Sequence, residues 1–172
     1  YLTLTVFQIG LTVFLIVLVI VFQQDIRDEL ERLSFSHLFS RRRSPTSFNR
    51  LLNLLVAGAF LLAGQRIGAL IVMKGRQPLD RHIRGGIRAD AVLSIPLLHG
   101  IFNPKSQGHD GAVVVVGERV AAFGVHLPLS TNLNKLGPGG TRHAAALGLA
   151  ARTDALVIVV SEERGCVGLA EG

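Results

Sequence analysis

At 172 residues, almost half of them apolar (49%) and with a formal net charge of +6, the chain is long enough for one domain of ordinary size plus a short extra segment. Its single cysteine, Cys166, excludes an internal disulfide and any cysteine-cluster metal site, and suits a reducing compartment. Aromatic residues are few (6%) and no nucleic-acid-binding module is recognisable, so no nucleic acid is expected as a partner.

In chain order, no charged residue precedes Asp25, and residues 2–22 are apolar apart from Thr3, Thr5, Gln8, Gly10 and Thr12. At a helical rise this run is roughly 30 Å long, the thickness of a bilayer core. It lacks the basic start and small-residue cleavage site of a signal peptide. A transmembrane helix is therefore expected over residues 1–24, with a buried core helix as the alternative. Basic residues come only afterwards, at Arg27, Arg32, Arg41, Arg42, Arg43 and Arg50, which by the positive-inside rule places the rest of the chain in the cytoplasm. The start at Tyr1 rather than Met predicts a natural chain that begins further upstream.

Residues 25–48 read as an amphipathic helix followed by a basic linker. Phe22, Ile26, Leu30 and Leu33 share a helical face, and Asp28 and Arg32 form an i,i+4 pair. This helix suits the membrane surface or a second copy of itself. Serines, the arginines at 41–43 and Pro45 then break the pattern into a tether that can touch anionic headgroups.

Residues 49–172 carry the folded domain. Residues 50–63, with charges only at the flanks, suit a buried core helix rather than a span. Residues 67–73 read as a core strand, ended by the turn Lys74-Gly75-Arg76-Gln77-Pro78, and a short polar helix or turn runs through Arg84-Gly85-Gly86. Residues 94–102 look helical, with Ser94 as N-cap and Pro96 in the first turn. Between Arg66 and Lys105 stand seven basic residues against two acids, an excess that suits a polyanionic ligand or a solvated basic face. Residues 112–116 and 119–126 form a hairpin through Gly117-Glu118. Residues 127–130 leave the sheet, 131–140 are loop, and 141–152 an Ala-rich helix. Residues 155–160 are a buried strand and 166–170 an edge strand, in which Cys166 is expected as a small buried hydrophobe. The expected fold class is α/β (α+β): a mixed central β-sheet flanked by helices, preceded by the transmembrane helix.

Three stretches carry chemistry. Gly108-His109-Asp110-Gly111-Ala112 abuts the apolar run Val113-Val114-Val115-Val116, so an imidazole and a carboxylate sit at the rim of a buried strand. Gly139-Gly140-Thr141-Arg142-His143 opens the Ala-rich helix, and Ser161-Glu162-Glu163 ends the last buried strand. Singly, each has a plain structural reading: an Asp-Gly turn, a structural histidine, solvated carboxylates, a threonine N-cap. Together, at the rims of adjacent core elements, they point to a metal-assisted phosphate site.

In this order the motifs resemble the diadenylate cyclase domain family, which makes the second messenger cyclic di-AMP from two ATP. The resemblance rests on Asp110-Gly111-Ala112 preceded by His109, Leu127-Pro128-Leu129-Ser130, Gly140-Thr141-Arg142-His143, and Asp154-Ala155-Leu156 running on to Ser161-Glu162-Glu163. Arg66-Ile67-Gly68-Ala69-Leu70-Ile71-Val72 and Gly86-Ile87 match upstream, and the apolar N-terminal run matches the membrane-anchored branch. One position departs: the family's Arg-His-Arg reads Arg142-His143-Ala144 here, which puts a phosphate or subunit contact in doubt.

The resemblance implies a nucleotidyltransferase in which the 3′-hydroxyl of one ATP attacks the α-phosphate of the other, with pyrophosphate leaving in line. It implies a divalent metal, Mn²⁺, Co²⁺ or Mg²⁺, held by His109 and Glu162. Asp110 would orient or deprotonate the hydroxyl, with Gly111 and Ala112 keeping the backbone open. Gly140, Thr141, Arg142 and Ser161 would bind phosphate, and His143 would hold the loop or contact phosphate. Leu127, Pro128 and Leu129 would pack on adenine. A symmetric product implies a face-to-face dimer at the membrane. Two other readings stand beside this one: a nucleotide-binding or regulatory module impaired at Ala144, and a membrane-tethered structural protein without nucleotide. The cyclase reading requires His109, Asp110 and Glu162 to converge on one hollow.

Overall fold

The computed structural model describes residues 3–8, 10–18, 45–130 and 140–172. The chain divides into two units, Tyr1–Arg42 and Arg43–Gly172. In the first, residues 3–8 and 10–18 are helical, with Leu4, Phe7, Phe14 and Ile16 exposed. Among the described residues no helix is long and apolar enough to cross a membrane. The run expected to span a bilayer lies partly outside the described residues, and the amphipathic helix wholly so.

In the second unit the elements are α1 (Pro45–Gly64), β1 (Ala69–Met73), β2 (Ile87–Val92), α2 (Ile95–Phe102), β3 (Ala112–Val116), β4 (Arg119–Val125), α3 (Thr141–Ala150), β5 (Leu156–Ser161) and β6 (Cys166–Ala170). The six strands form one sheet in the order β2-β4-β3-β1-β5-β6. β1 runs parallel to β3, and every other neighbouring pair is antiparallel. This is the mixed, helix-flanked sheet expected from the alternation of elements.

The central strands are apolar on both faces because both faces are covered. With a period of two, Ile71, Val113, Val115, Ile158 and Val160 point into one core, which Leu51, Leu55, Ala59 and Leu62 of α1 and Leu98 and Phe102 of α2 complete. The alternate residues Leu70, Val72, Val114, Val157 and Val159 meet Ala145, Ala146 and Leu149 of α3. Each fully buried aliphatic side chain is worth about 1.5–3 kcal/mol of transfer free energy, so β1, β3 and β5 are the least movable part of the unit.

Several local expectations are met. Ser94 caps α2, its Oγ accepting from the Leu97 amide at 3.4 Å, with proline in the first turn. Others need correction. The stretch after Gly86, to which residue patterns assign no element, is an edge strand, β2, with alternate residues exposed. It is bulged at Asp90, where φ is 42 and the register shifts; Arg119 Nε donates to Asp90 Oδ1 at 2.7 Å and pins the irregularity. Cys166 is exposed, not buried, because it opens an edge strand at the rim, beyond the helical cover. The basic residues between 66 and 105 do not form one face. Lys74 and Arg76 follow β1 at one rim, whereas Arg66 precedes β1 and Arg84 bridges His126 at the other.

Two contacts tie distant segments together. Asp154, before β5, accepts from the amides of Arg76 at 2.7 Å and Gln77 at 3.1 Å. A Cβ at Gly75 would collide with the Asp154 carboxylate. On the other side, a Cβ at Gly148 in α3 would overlap the Pro128 carbonyl oxygen and lie 2.7 Å from the Ser130 nitrogen. Residues 127–130 therefore lie directly on α3, and the Ser130 amide donates to the Ala144 carbonyl at 2.9 Å.

Gly148→Ala should cost about 1–3 kcal/mol in urea unfolding, because the added methyl meets backbone rather than a flexible side chain. The amides of Arg76, then Gln77, hold the Asp154 carboxyl below its ordinary value. A depressed carboxylate contributes stability above its unfolded value and loses it as pH falls through the folded one. Asp154→Asn should therefore melt below the wild type at pH 7, and the gap should close below about pH 4 in melting curves.

Candidate active site

The strand register decides which chain ends meet. Ile71 pairs with Val113 in parallel, and Ala69 with Val160 in antiparallel fashion. The starts of β1 and β3 and the end of β5 thus share one rim. β4 also ends there, Val125 pairing with Ala112, and β6 begins there, Cys166 pairing with Ser161. Three motifs far apart in the chain are brought to this rim: His109-Asp110-Gly111 before β3, Ser161-Glu162-Glu163 at the end of β5, and Arg142, whose guanidinium reaches Glu162. β3 and β5 flank β1, so His109 and Glu162 belong to strands about 10 Å apart by strand spacing.

Arg142 meets Glu162, Nη1 donating to Oε2 at 2.7 Å; the side chains are 25% and 52% exposed. Both atoms lie over Gly68, where a Cβ would strike the Glu162 Oε2 and stand 2.5 Å from Arg142 Nη1. Gly68 is buried under the pair, and glycine is what lets the pair close. Reading residue types alone missed this position, although Arg66-Ile67-Gly68 stood in the motif; a lone glycine before a strand reads as a turn residue.

His109 is half-buried, and its Nδ1 lies 2.6 Å from the Ser106 carbonyl oxygen. A carbonyl only accepts, so Nδ1 carries a proton, and in the neutral ring the lone pair is on Nε2. This is the arrangement by which a backbone acceptor readies a histidine to ligate through the other nitrogen. Among the described residues no group of three or more His, Cys, Asp or Glu could hold a metal ion. His109 Nε2 and the Glu162 carboxylate are groups of metal-ligating type at this rim, on strands separated by β1.

Gly111 and Ala112 have packing duties. A Cβ on Gly111, at φ 155, would stand 2.6 Å from the Gly124 carbonyl carbon, so β4 approaches too closely for any other residue. Ala112 is fully buried on the α3 side and offers the site only its size and backbone. Asp110 is exposed beside them.

α3 begins at the same site. Gly140 is its N-cap, no side chain caps the helix, and its first turn holds no acid. Thr141 is therefore not the N-cap that its plain reading expects; it is the exposed first helical residue, with Arg142 and His143 half-buried behind it. Among the described residues no atom lies within 4 Å of a Cβ placed on Gly140, and amides at a helix start favour an anion. Gly139 lies outside the described residues. Ser161 Oγ accepts from the Arg164 amide at 3.4 Å, which leaves its own proton for another acceptor. Leu127 is packed beside the α3-side core, and Leu129 is exposed.

The family profile described as DisA bacterial checkpoint controller nucleotide-binding (DAC) matches residues 56–172. The chain is 38% identical over 157 residues to a diadenylate cyclase of Listeria monocytogenes, covering 90% of this chain and 58% of that protein. It thus spans under two thirds of that relative's length. Among solved structures, DacA from Staphylococcus aureus, as a double mutant, superposes with a TM-score of 0.69 at 35% identity, covering 73% of this chain and 84% of that one. A protein from Bacillus cereus described as a hypothetical membrane spanning protein superposes with a TM-score of 0.68 at 30% identity, covering 89% and 76%. Sequence and fold agree, and the chain belongs to the diadenylate cyclase domain family.

Proposed function

We propose that the chain is a diadenylate cyclase that condenses two ATP into cyclic di-AMP and two pyrophosphates. The observation that carries this reading is the shared rim, where His109 and Asp110 at the head of β3, Glu162 at the tail of β5 and Arg142 at the open start of α3 are presented together. Asp110 orients the attacking 3′-hydroxyl and takes its proton. Arg142, Thr141, Ser161 and the amides after Gly140 hold the triphosphate, with Arg142 making the charge-assisted bond. Leu127, Pro128 and Leu129, seated on α3 by Gly148, wall the adenine. His143 steadies the helix start or meets phosphate. A bound divalent cation, Mn²⁺, Co²⁺ or Mg²⁺, would supply charge neutralisation at the phosphates, held by His109 and Glu162.

Each half-site presents one ATP, so the active species is a face-to-face dimer of two copies. Residues 1–24 anchor it in the cell membrane, residues 25–48 tether it, and residues 49–172 work in the cytoplasm. The apolar run at 2–22 and the likeness to a structure described as membrane spanning support this placement.

In this structure Arg142 and Glu162 neutralise each other. Substrate binding exchanges that pair for better partners: phosphate for the guanidinium, the cation for the carboxylate. An ion pair this exposed is worth about 0–1 kcal/mol, so the exchange costs little and ties nucleotide and cation uptake together. Ala144 favours a second reading, a nucleotide-binding module with impaired turnover, because the family has arginine there.

Incubation with ATP and Mn²⁺ should yield cyclic di-AMP, with turnover rising with protein concentration as two copies meet. Asp110→Asn should lower kcat by about 100-fold or more while ATP still binds. Binding without product, with turnover gained by Ala144→Arg, would establish the impaired module, and no ATP binding would end both readings. For the ion pair, titration with a non-hydrolysable ATP analogue separates the roles. Glu162→Gln should bind the analogue without cation as tightly as wild type or up to about fivefold tighter, and should lose most of the tightening that Mn²⁺ brings.

A further inference from the structure

Helix α1 stops at a left-handed residue that is not glycine. The Arg66 amide donates to the Ala63 carbonyl at 3.0 Å, and the Ile67 amide to the Leu62 carbonyl at 2.9 Å. These are the paired bonds of a Schellman stop, with Ile67 packed beside the core as the accompanying apolar contact. Such a stop places Arg66 at φ 54. Glycine adopts that conformation freely, whereas a residue with a Cβ gives up about 1–2 kcal/mol. Arginine is a poor helix stop, and a residue held in a sparsely populated backbone region at a site directs attention to its side chain.

That side chain crosses to the end of β5. Arg66 Nη1 donates to the Glu163 carbonyl at 3.2 Å. The acceptor lies in the turn 161–165, immediately after Glu162. Within the turn, the Gly165 amide donates to the Ser161 carbonyl at 2.9 Å and the Arg164 amide to Ser161 Oγ at 3.4 Å. Gly165 is itself left-handed, at φ 63, and a Cβ there would lie 3.0 Å from the Ala63 carbonyl oxygen. The helix stop and the turn are thus in backbone contact, and the Arg66 guanidinium spans the seam.

We propose that Arg66 is a positioning residue for Glu162. By clasping the Glu163 carbonyl it fixes the turn so that the Glu162 carboxylate is presented over Gly68, beside Arg142. It acts through the turn and touches no substrate. The inference rests on the reading of Glu162 as the carboxylate that meets the cation, and the clasp itself is observable without nucleotide.

Arg66→Gly is the informative variant, because glycine improves the helix stop while removing the clasp. Its melting temperature should equal or exceed that of the wild type. Hydrogen exchange at the Arg164 and Gly165 amides should quicken by about two- to tenfold, the value of one hydrogen bond. The Mn²⁺ concentration needed to tighten binding of a non-hydrolysable ATP analogue should rise by a similar factor, with cation-free binding unchanged. Arg66→Lys, which keeps a cationic donor, should recover part of both effects. Unchanged exchange in the turn, an unchanged Mn²⁺ requirement, or a lower melting temperature for Arg66→Gly would each overturn the proposal. Failure of the wild type to bind nucleotide would count against the cyclase reading instead, since the exchange rates report on the clasp alone.

Discussion

The backbone pairing of β1 with both of its neighbours is the constraint on which the rest depends. β1 is parallel to β3 and antiparallel to β5, and all three are buried on both faces by α1, α2 and α3. A one-residue slip at either seam would turn every valine and isoleucine of a strand into the wrong layer. The register is therefore held by the whole apolar content of the two cores. That register, and no local feature, puts the entrance of β3 beside the exit of β5. Polar groups at those ends sit on a base that cannot shift, the condition that catalysis by positioning requires.

On that base the site is assembled from small residues as much as from charged ones. Gly68 makes room for the Arg142–Glu162 pair, Gly111 lets β4 close on β3, and Gly148 lets residues 127–130 settle on α3. Each is a place where another backbone or a functional side chain occupies the space a Cβ would need. The charged groups face solvent and balance one another, Arg142 against Glu162. His109 donates from Nδ1 to the Ser106 carbonyl, which fixes the plane of its ring.

Residue patterns revealed the helices and the buried strands because these follow from apolar periodicity. Val113 to Val116 and Val157 to Val160 admit little but a covered strand, and Ser94 with Pro96 marks a helix start from a few residues. The motif residues were also legible, since His109-Asp110, Arg142-His143 and Ser161-Glu162 stand where apolar runs begin or end. β2 was not legible. It is an edge strand with charges at Arg88 and Asp90, a bulge and an exposed face, so neither period survives in it. Cys166 was misread because its neighbours are apolar, whereas its exposure depends on lying at the uncovered start of an edge strand. Thr141 looked like a cap, whereas Gly140 is the N-cap and Thr141 the first helical residue.

The amino-acid sequence alone determined which segments are apolar enough to be buried, with what period, and which reactive side chains adjoin them. Those properties are local and are written in adjacent residues. The order of strands, the contact of Arg142 with Glu162 over Gly68, and the reach of Arg66 to the Glu163 carbonyl were decided only by the tertiary structure. Each joins residues far apart along the chain, and such pairs are chosen by the packing of both cores at once rather than by any stretch read in isolation.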